Sequence, residues 1–200
     1  TTLFHEFGHA LHGMLANTKY SGLSGTSVSW DFVELPSQIL ENWCYQEEAL
    51  SLFAKHYKTG ESIPMEYVQK IKNAAQFQQG IQTLRQLSFG YLDLSYHDEN
   101  VSEIKSVYEH EEKQVSKLQF TPNIKENCMS TAFSHIFQGG YAAGYYSYKW
   151  AEVLDADAFE LFLQKGIFNK ETAQSFKDNI LSKGGTEHPM KLYKRFRGAE

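Results

Sequence analysis

The 200-residue sequence has only two cysteines, Cys44 and Cys128, in neither a CxxC nor any other metal-ligand spacing. That argues against a cysteine-based zinc finger and fits buried free thiols in a reducing compartment, with one disulfide between the two left open by the sequence. There is no apolar run of 18 residues and no signal-peptide pattern, so no membrane partner is expected and a cytoplasmic location is predicted. Positive charge is in deficit: 19 Lys and Arg stand against 24 Asp and Glu, for a net charge of -5. The basic residues are scattered among acids, which argues against a nucleic-acid partner, since phosphate binding wants a continuous basic face. Repeats and low-complexity tracts are absent as well.

What remains is enough to build a core. With 42% hydrophobic and 14% aromatic residues the chain can bury one, and its length suits a single domain spanning residues 1–200. The pattern is mainly α, with at most a small β element around residues 20–30. Helices are expected over 2–16, 31–57, 64–77, 79–96, 101–118 and 145–164. Two more should follow, one capped by Asn169 and ending at Gly184-Gly185, and a last one over 188–197. Pro36 conflicts with the second of these, because a helix starting at Asp31 would lose a hydrogen bond there. The fourth carries Ile81, Leu84, Leu87, Tyr91 and Leu94 at spacings of three and four. The run Glu109-His110-Glu111-Glu112-Lys113 reads as a solvated face.

The chemistry is concentrated at the front. His5-Glu6-Phe7-Gly8-His9 lies within the first apolar helix, and residues four apart sit about 40° apart in azimuth and about 6 Å apart along the axis. Both imidazoles can therefore reach one zinc ion. Glu6 is about 100° round from His5, placed to act as a general base on water rather than as a ligand. By composition alone such a pattern arises by chance about 4 times in 100 chains, so the site needs further parts.

A catalytic zinc takes three protein ligands and keeps one position open. The extended pattern with a third histidine is missing, since His12 and Leu15 occupy its Gly and His positions. A carboxylate on a following helix is the other common solution. Glu34 leads the candidates, with Asp31, Glu41, Glu47 and Glu48 competing on chemistry alone. Glu41 is two turns beyond Glu34 and could orient a ligand from behind. His12 reads as a packing residue beside the ligands. Near the other end, Gln138-Gly139-Gly140-Tyr141-Ala142-Ala143-Gly144 has too many glycines for a helix interior and reads as a flexible loop.

Four separated segments then resemble the thimet oligopeptidase family of zinc peptidases. They are Phe4-His5-Glu6-Phe7-Gly8-His9-Ala10-Leu11-His12, Trp30-Asp31-Phe32-Val33-Glu34-Leu35-Pro36-Ser37-Gln38, Glu41-Asn42-Trp43, and the stretch from His135 through Gly139-Gly140-Tyr141 to Tyr146. The ending Gly184-Gly185 and Phe196-Arg197-Gly198 also fits, so the resemblance covers essentially the whole chain. It implies a zincin-type helical catalytic domain, one part of a larger two-lobed enzyme whose channel admits short peptides.

The resemblance implies one zinc ion per chain on His5, His9 and Glu34. It also implies catalytic roles for Glu6, His135 and Tyr148, and substrate contacts from Tyr141, Tyr145, Gly139 and Gly140. A phenol or imidazolium donor at such a site would stabilise charge developing on a peptide carbonyl oxygen. Opening at Thr1, almost on the metal helix, the chain is expected to be an excised piece whose N-terminal lobe is a partner within the same polypeptide.

Two within-family activities are open. The segments Ser147-Tyr148-Lys149-Trp150-Ala151-Glu152 and Gly166-Ile167-Phe168-Asn169 look like the endopeptidases of oligopeptidase A type. Leu23-Ser24-Gly25-Thr26 looks like the enzymes that remove C-terminal dipeptides. A third reading is a zinc-binding piece without turnover of its own.

Overall fold

The computed structural model describes residues 1–97, 100–124 and 126–198. Among the described residues the chain is helical and forms no sheet; its isolated β pairing is an antiparallel bridge between Lys55 and Ser62. The stretch 20–30 holds a 3₁₀ turn at Ser21–Leu23 rather than extended structure. Gly25, in the left-handed region at φ 54°, turns this stretch back so that its backbone rests on His12 and Gly13.

The chain divides into two compact units, one made of Thr1–Ala74 and Trp150–Glu200, the other of Ala75–Lys149. In the first unit, α1 (Thr2–Met14) carries the histidines, and α2 (Trp30–Val33), α3 (Leu35–Glu41) and α4 (Glu47–Phe53) follow. The sequence predicts one helix over 31–57. The structure resolves the Pro36 conflict by breaking it: proline lacks an N–H and suits a first turn, so α2 ends at Val33 and α3 starts anew at Leu35. Glu34 is the junction residue. Asn42–Tyr45 is a 3₁₀ turn that interrupts the pattern again before α4. Helix α5 covers Met65–Gln76.

The second unit is built on α6 (Gln79–Tyr96), α7 (Val107–Val115) and the short α8 (Ser134–Phe137). Its core gathers Phe89, Leu92, Val115, Phe133 and Ile136. The predicted apolar stripe of α6 is not its buried face. Leu87, Tyr91 and Leu94 are exposed, and the helix buries Ser88, Phe89, Leu92 and Asp93 instead. Apolar residues occupy two faces of α6, and the phenylalanines of the core select the other one. Glu111 corrects the reading of 109–113 as solvated. It is buried and accepts the backbone N–H groups of Met129 (2.9 Å) and Ser130 (2.7 Å). Burial opposes its ionisation, but the hydrogen bond from the Ser130 hydroxyl, with those two backbone bonds, prevails and holds its carboxyl below the ordinary range.

The chain then returns to the first unit through α9 (Ser147–Lys165), whose first residues belong to the second unit, and continues with α10 (Lys170–Phe176) and α11 (Pro189–Arg197). Asn169 caps α10 as expected, its side chain accepting from Thr172 N–H at 2.8 Å. Rather than running on as α-helix to Gly184-Gly185, α10 passes into a π-helical turn at Lys177–Leu181. One core joins Phe32, Leu35 and Ile39 of α2 and α3 to Leu154, Ala158, Phe159 and Phe162 of α9, with Ile180, Leu192 and Phe196 from the later elements. Each fully buried side chain of this kind contributes about 2 kcal/mol. Trp43 closes one edge, meeting Phe159 and Phe162 edge-on at 4.7 and 5.0 Å.

Candidate metal centre and tyrosine loop

Helix α1 is apolar enough to pack, and it packs through a glycine. A methyl group at Gly8 would overlap the Pro36 carbonyl and the Ser37 Cα, so the backbones of α1 and α3 touch there. Residues His5, Gly8 and His12 recur at spacings of three and four, so they share the face turned to α3. That contact brings both histidines of the motif up against the break at Glu34.

At the break three donors converge. His5 Nε2 lies 3.3 Å and His9 Nε2 3.2 Å from the same oxygen, Glu34 Oε2. The three ligand atoms all fall within 4.8 Å of one another. A tetrahedral ion with bonds near 2.0–2.1 Å sets its donors about 3.3 Å apart. Glu34 is 1% exposed, and the Ser37 hydroxyl donates to its Oε2 at 2.9 Å. Glu34 holds His9 above its ordinary pKa, by hydrogen bonding first and by charge second, against the effect of burial.

The fit to a cation rests on the far side of His5. Its Nδ1 is 2.8 Å from Glu41 Oε1. An ionised carboxylate only accepts, so His5 donates from Nδ1, and in the neutral ring Nε2 carries a lone pair. That lone pair faces the lone pairs of a buried carboxylate at 3.3 Å, an arrangement that is repulsive until a cation sits between them. Two imidazoles and a carboxylate are also the donor set that suits zinc.

The other members of α1 are placed as their positions suggest. Glu6 is exposed on the helix beside the donors, and its negative charge helps to raise His9. His12 is fully buried, and neither ring nitrogen has a hydrogen-bond partner among the described residues. Burial, with a smaller effect from His9, pushes its pKa down to about 4. It is a neutral packing residue. Of the rival carboxylates, Glu41 contacts His5 from behind, while Glu47 and Glu48 are exposed in the first turn of α4.

The remaining candidates gather in the second unit. His135 on α8, Tyr141, Tyr145 and Tyr148 form a ring cluster, with Tyr141 stacked on Tyr148 at 5.1 Å and Tyr145 edge-on to His135 at 5.9 Å. Gly139 lets the chain fold back, since a side chain there would press on the His135 backbone, and Gly140 adopts φ 84°. Tyr145 is anchored rather than loose. Its hydroxyl donates to Gln86 at 3.3 Å, and burial pushes its pKa up.

Two contributors escape sequence reasoning. Asp93 takes two amides of the tyrosine loop, and Asn42 donates to Asp155 at 3.1 Å. Asp155 is raised to about 6, chiefly by burial. The available signal for Asp93 was a lone acid next to Leu92 in an apolar helix.

The chain is 52% identical to oligopeptidase A of Escherichia coli (strain K12) over 201 residues, covering 100% of this chain and 30% of that protein. It is 48% identical to oligopeptidase A of Haemophilus influenzae over 205 residues, again 100% of this chain and 30% of that protein. Dipeptidyl carboxypeptidase of E. coli is 40% identical over 200 residues, covering 98% of this chain and 29% of that protein. The chain thus spans about 30% of the length of these curated relatives. Peptidase family M3 matches throughout residues 1–200. With this match from end to end, on a chain whose His-Glu-x-x-His helix meets Glu34 in a donor set that could hold a metal ion, the chain belongs to peptidase family M3.

Proposed function

We propose that this chain carries the catalytic centre of a zinc metallopeptidase that hydrolyses short oligopeptides, of the oligopeptidase A type. The observation that supports this most is the convergence of His5, His9 and Glu34 beside an exposed Glu6. In this reading His5, His9 and Glu34 hold one zinc ion. When bound there, zinc would supply Lewis acidity toward the scissile carbonyl and lower the pKa of water.

The chain's own residues do the rest. Glu41 accepts from His5 Nδ1 and so keeps Nε2 free for the metal. Glu6 takes a proton from the attacking water and passes it to the leaving amine nitrogen. His135 and Tyr148 donate hydrogen bonds to the charge that develops on the carbonyl oxygen. Tyr141 and Tyr145, with Gly139 and Gly140 shaping their loop, contact the peptide. Selection for short peptides rests largely with the rest of a longer polypeptide, as the length of the relatives suggests. Two free thiols favour a cytoplasmic site of action, and among the described residues no helix is long and apolar enough to cross a membrane.

The test is a quenched-peptide assay with zinc added to the wild type and to Glu6→Gln. Cleavage should vanish in the variant while bound zinc stays at one per chain. Activity surviving the substitution would remove Glu6 from its role, and zinc binding without any wild-type cleavage would leave a metal-binding module. A second reading, release of C-terminal dipeptides, is favoured by the segment Leu23 to Thr26. The Leu23 carbonyl meets Gly184 so closely that this glycine has no room for a side chain, and the Ser27 carbonyl just beyond the segment does the same at Gly185. Running the same assay on peptides with free and amidated C-termini separates the two, because only an enzyme that releases C-terminal dipeptides needs the free carboxylate.

A further inference from the structure

Asp93 sits near the end of α6, wholly buried. Its two oxygens are used separately: Oδ1 accepts the backbone N–H of Ala143 at 2.9 Å, and Oδ2 accepts that of Tyr145 at 2.8 Å. The same Oδ1 is 3.1 Å from His97 Nδ1. Ala143 lies in the left-handed region at φ 55°, a conformation that an alanine adopts only when its surroundings impose it. A left-handed residue in a turn aims neighbouring N–H groups toward one point, and such a concavity binds an anion. Here the anion is the chain's own carboxylate. A buried carboxylate without donors is very costly, so burial of Asp93 and docking of the loop stand or fall together.

The clamp sits between the two stacked tyrosines. Tyr141 precedes Ala143 by two residues and Tyr148 follows Tyr145 by three, and their rings meet at 5.1 Å with planes 22° apart. Tyr141 N–H in turn bonds to the His135 carbonyl at 3.0 Å. Fixing 143 and 145 therefore fixes the start and the end of the segment that carries both phenols.

We infer that Asp93 is a positioning residue for the peptidase reaction: its carboxylate clamps the tyrosine loop so that Tyr141 and Tyr148 are held ready for the substrate. This rests on the roles proposed above for those tyrosines. Replacing the carboxylate by an amide, Asp93→Asn, turns one acceptor into a donor facing an N–H, so one of the two bonds must break.

Amide hydrogen exchange reads the clamp without turnover. In the wild type, Ala143 and Tyr145 should be protected, and in Asp93→Asn they should exchange at least tenfold faster while the middle of α1 is unchanged. In the zinc-loaded protein kcat should fall at least tenfold with a smaller change in KM, and zinc content should hold. Asp93→Asn added to Tyr141→Phe with Tyr148→Phe should be little worse than those two tyrosine changes alone, because the clamp acts through both phenols. Losses that multiply, or exchange that does not change, would overturn the inference. If Asp93→Asn fails to fold, unprotected Ala143 and Tyr145 amides in the wild type would overturn it by themselves. A wild type that cleaves no peptide while its amides stay protected would instead defeat the peptidase reading.

Discussion

Gly8 is the residue through which α1 is seated against α3 at the proposed metal centre, and Gly8→Ala tests that directly. An added Cβ would sit 2.5 Å from Ser37 Cα and 2.8 Å from the Pro36 carbonyl carbon, whereas ordinary contact begins at 3.4 Å. Both neighbours are backbone in a buried turn, so they cannot swing aside, and α1 must lift from α3 by about 1 Å. Metal sites tolerate displacements of only about 0.2 Å in their donor distances. With His5 and His9 on α1 and Glu34 at the head of α3, the triangle now set by 3.2 and 3.3 Å contacts would open well beyond that.

Overpacking of this kind should cost about 1–3 kcal/mol, or several degrees in Tm for a chain of this size. Zinc affinity should fall by at least an order of magnitude, measured by competition with a chromophoric chelator, with the melt recorded separately in EDTA. Gly13→Ala on the same helix is the control, because nothing lies within 4 Å of its Cβ position and alanine favours a helix. If Gly8→Ala bound zinc like the wild type and melted within a degree of it, the close approach of α1 and α3 would not be what shapes the site.

Two further outcomes follow from the same region. Glu41→Gln leaves His5 Nδ1 with a weaker, reorientable partner and should lower zinc affinity about 10–100-fold, read by metal titration, with little loss of helix content. A wild-type affinity there would make the 2.8 Å contact incidental. The pH dependence of stability should carry His12. Its folded pKa of about 4 lies below the unfolded value of 6.5, so the unfolded chain takes the proton first. The stabilisation is complete above pH 6.5 and is lost as pH falls toward 4, by about 2 kcal/mol between pH 7 and pH 5. His9 in the zinc-free protein acts with the opposite sign, its contribution being lost as pH rises through its raised pKa. Urea titrations of wild type and His12→Leu at both pH values check this. Equal acid losses in the two proteins would refute the assignment to His12.

How far the site can be read from residues alone depends on how local the cause is. The spacing of His5 and His9 needs only helix geometry, and the carboxylate partner needs only a helix break, which Pro36 announces two residues after Glu34. The Asn169 cap is equally local. What stays hidden depends on partners far along the chain. Asp93 and Glu111 look like surface acids until backbone N–H groups from residues 143, 145, 129 and 130 reach them. Backbone amides leave no trace in composition. The buried face of α6 stays hidden for a related reason: both of its apolar faces satisfy a helical period, and only the core it shares with Phe133 and Ile136 chooses between them.

The first compact unit is assembled from both ends of the chain, and this has a consequence for biosynthesis. Leu35 and Ile39 of α3, the helix that Glu34 heads, share one buried core with Leu154, Ile180, Leu192 and Phe196. A ribosome delivers the His-Glu-x-x-His helix more than a hundred residues before those later core residues. While translation is under way, the break at Glu34 has no floor, and long-range closure of this kind comes late in folding. The nascent chain therefore displays His5 and His9 before the core that seats Glu34 beside them can close, and the three donors converge only once α9 to α11 have emerged.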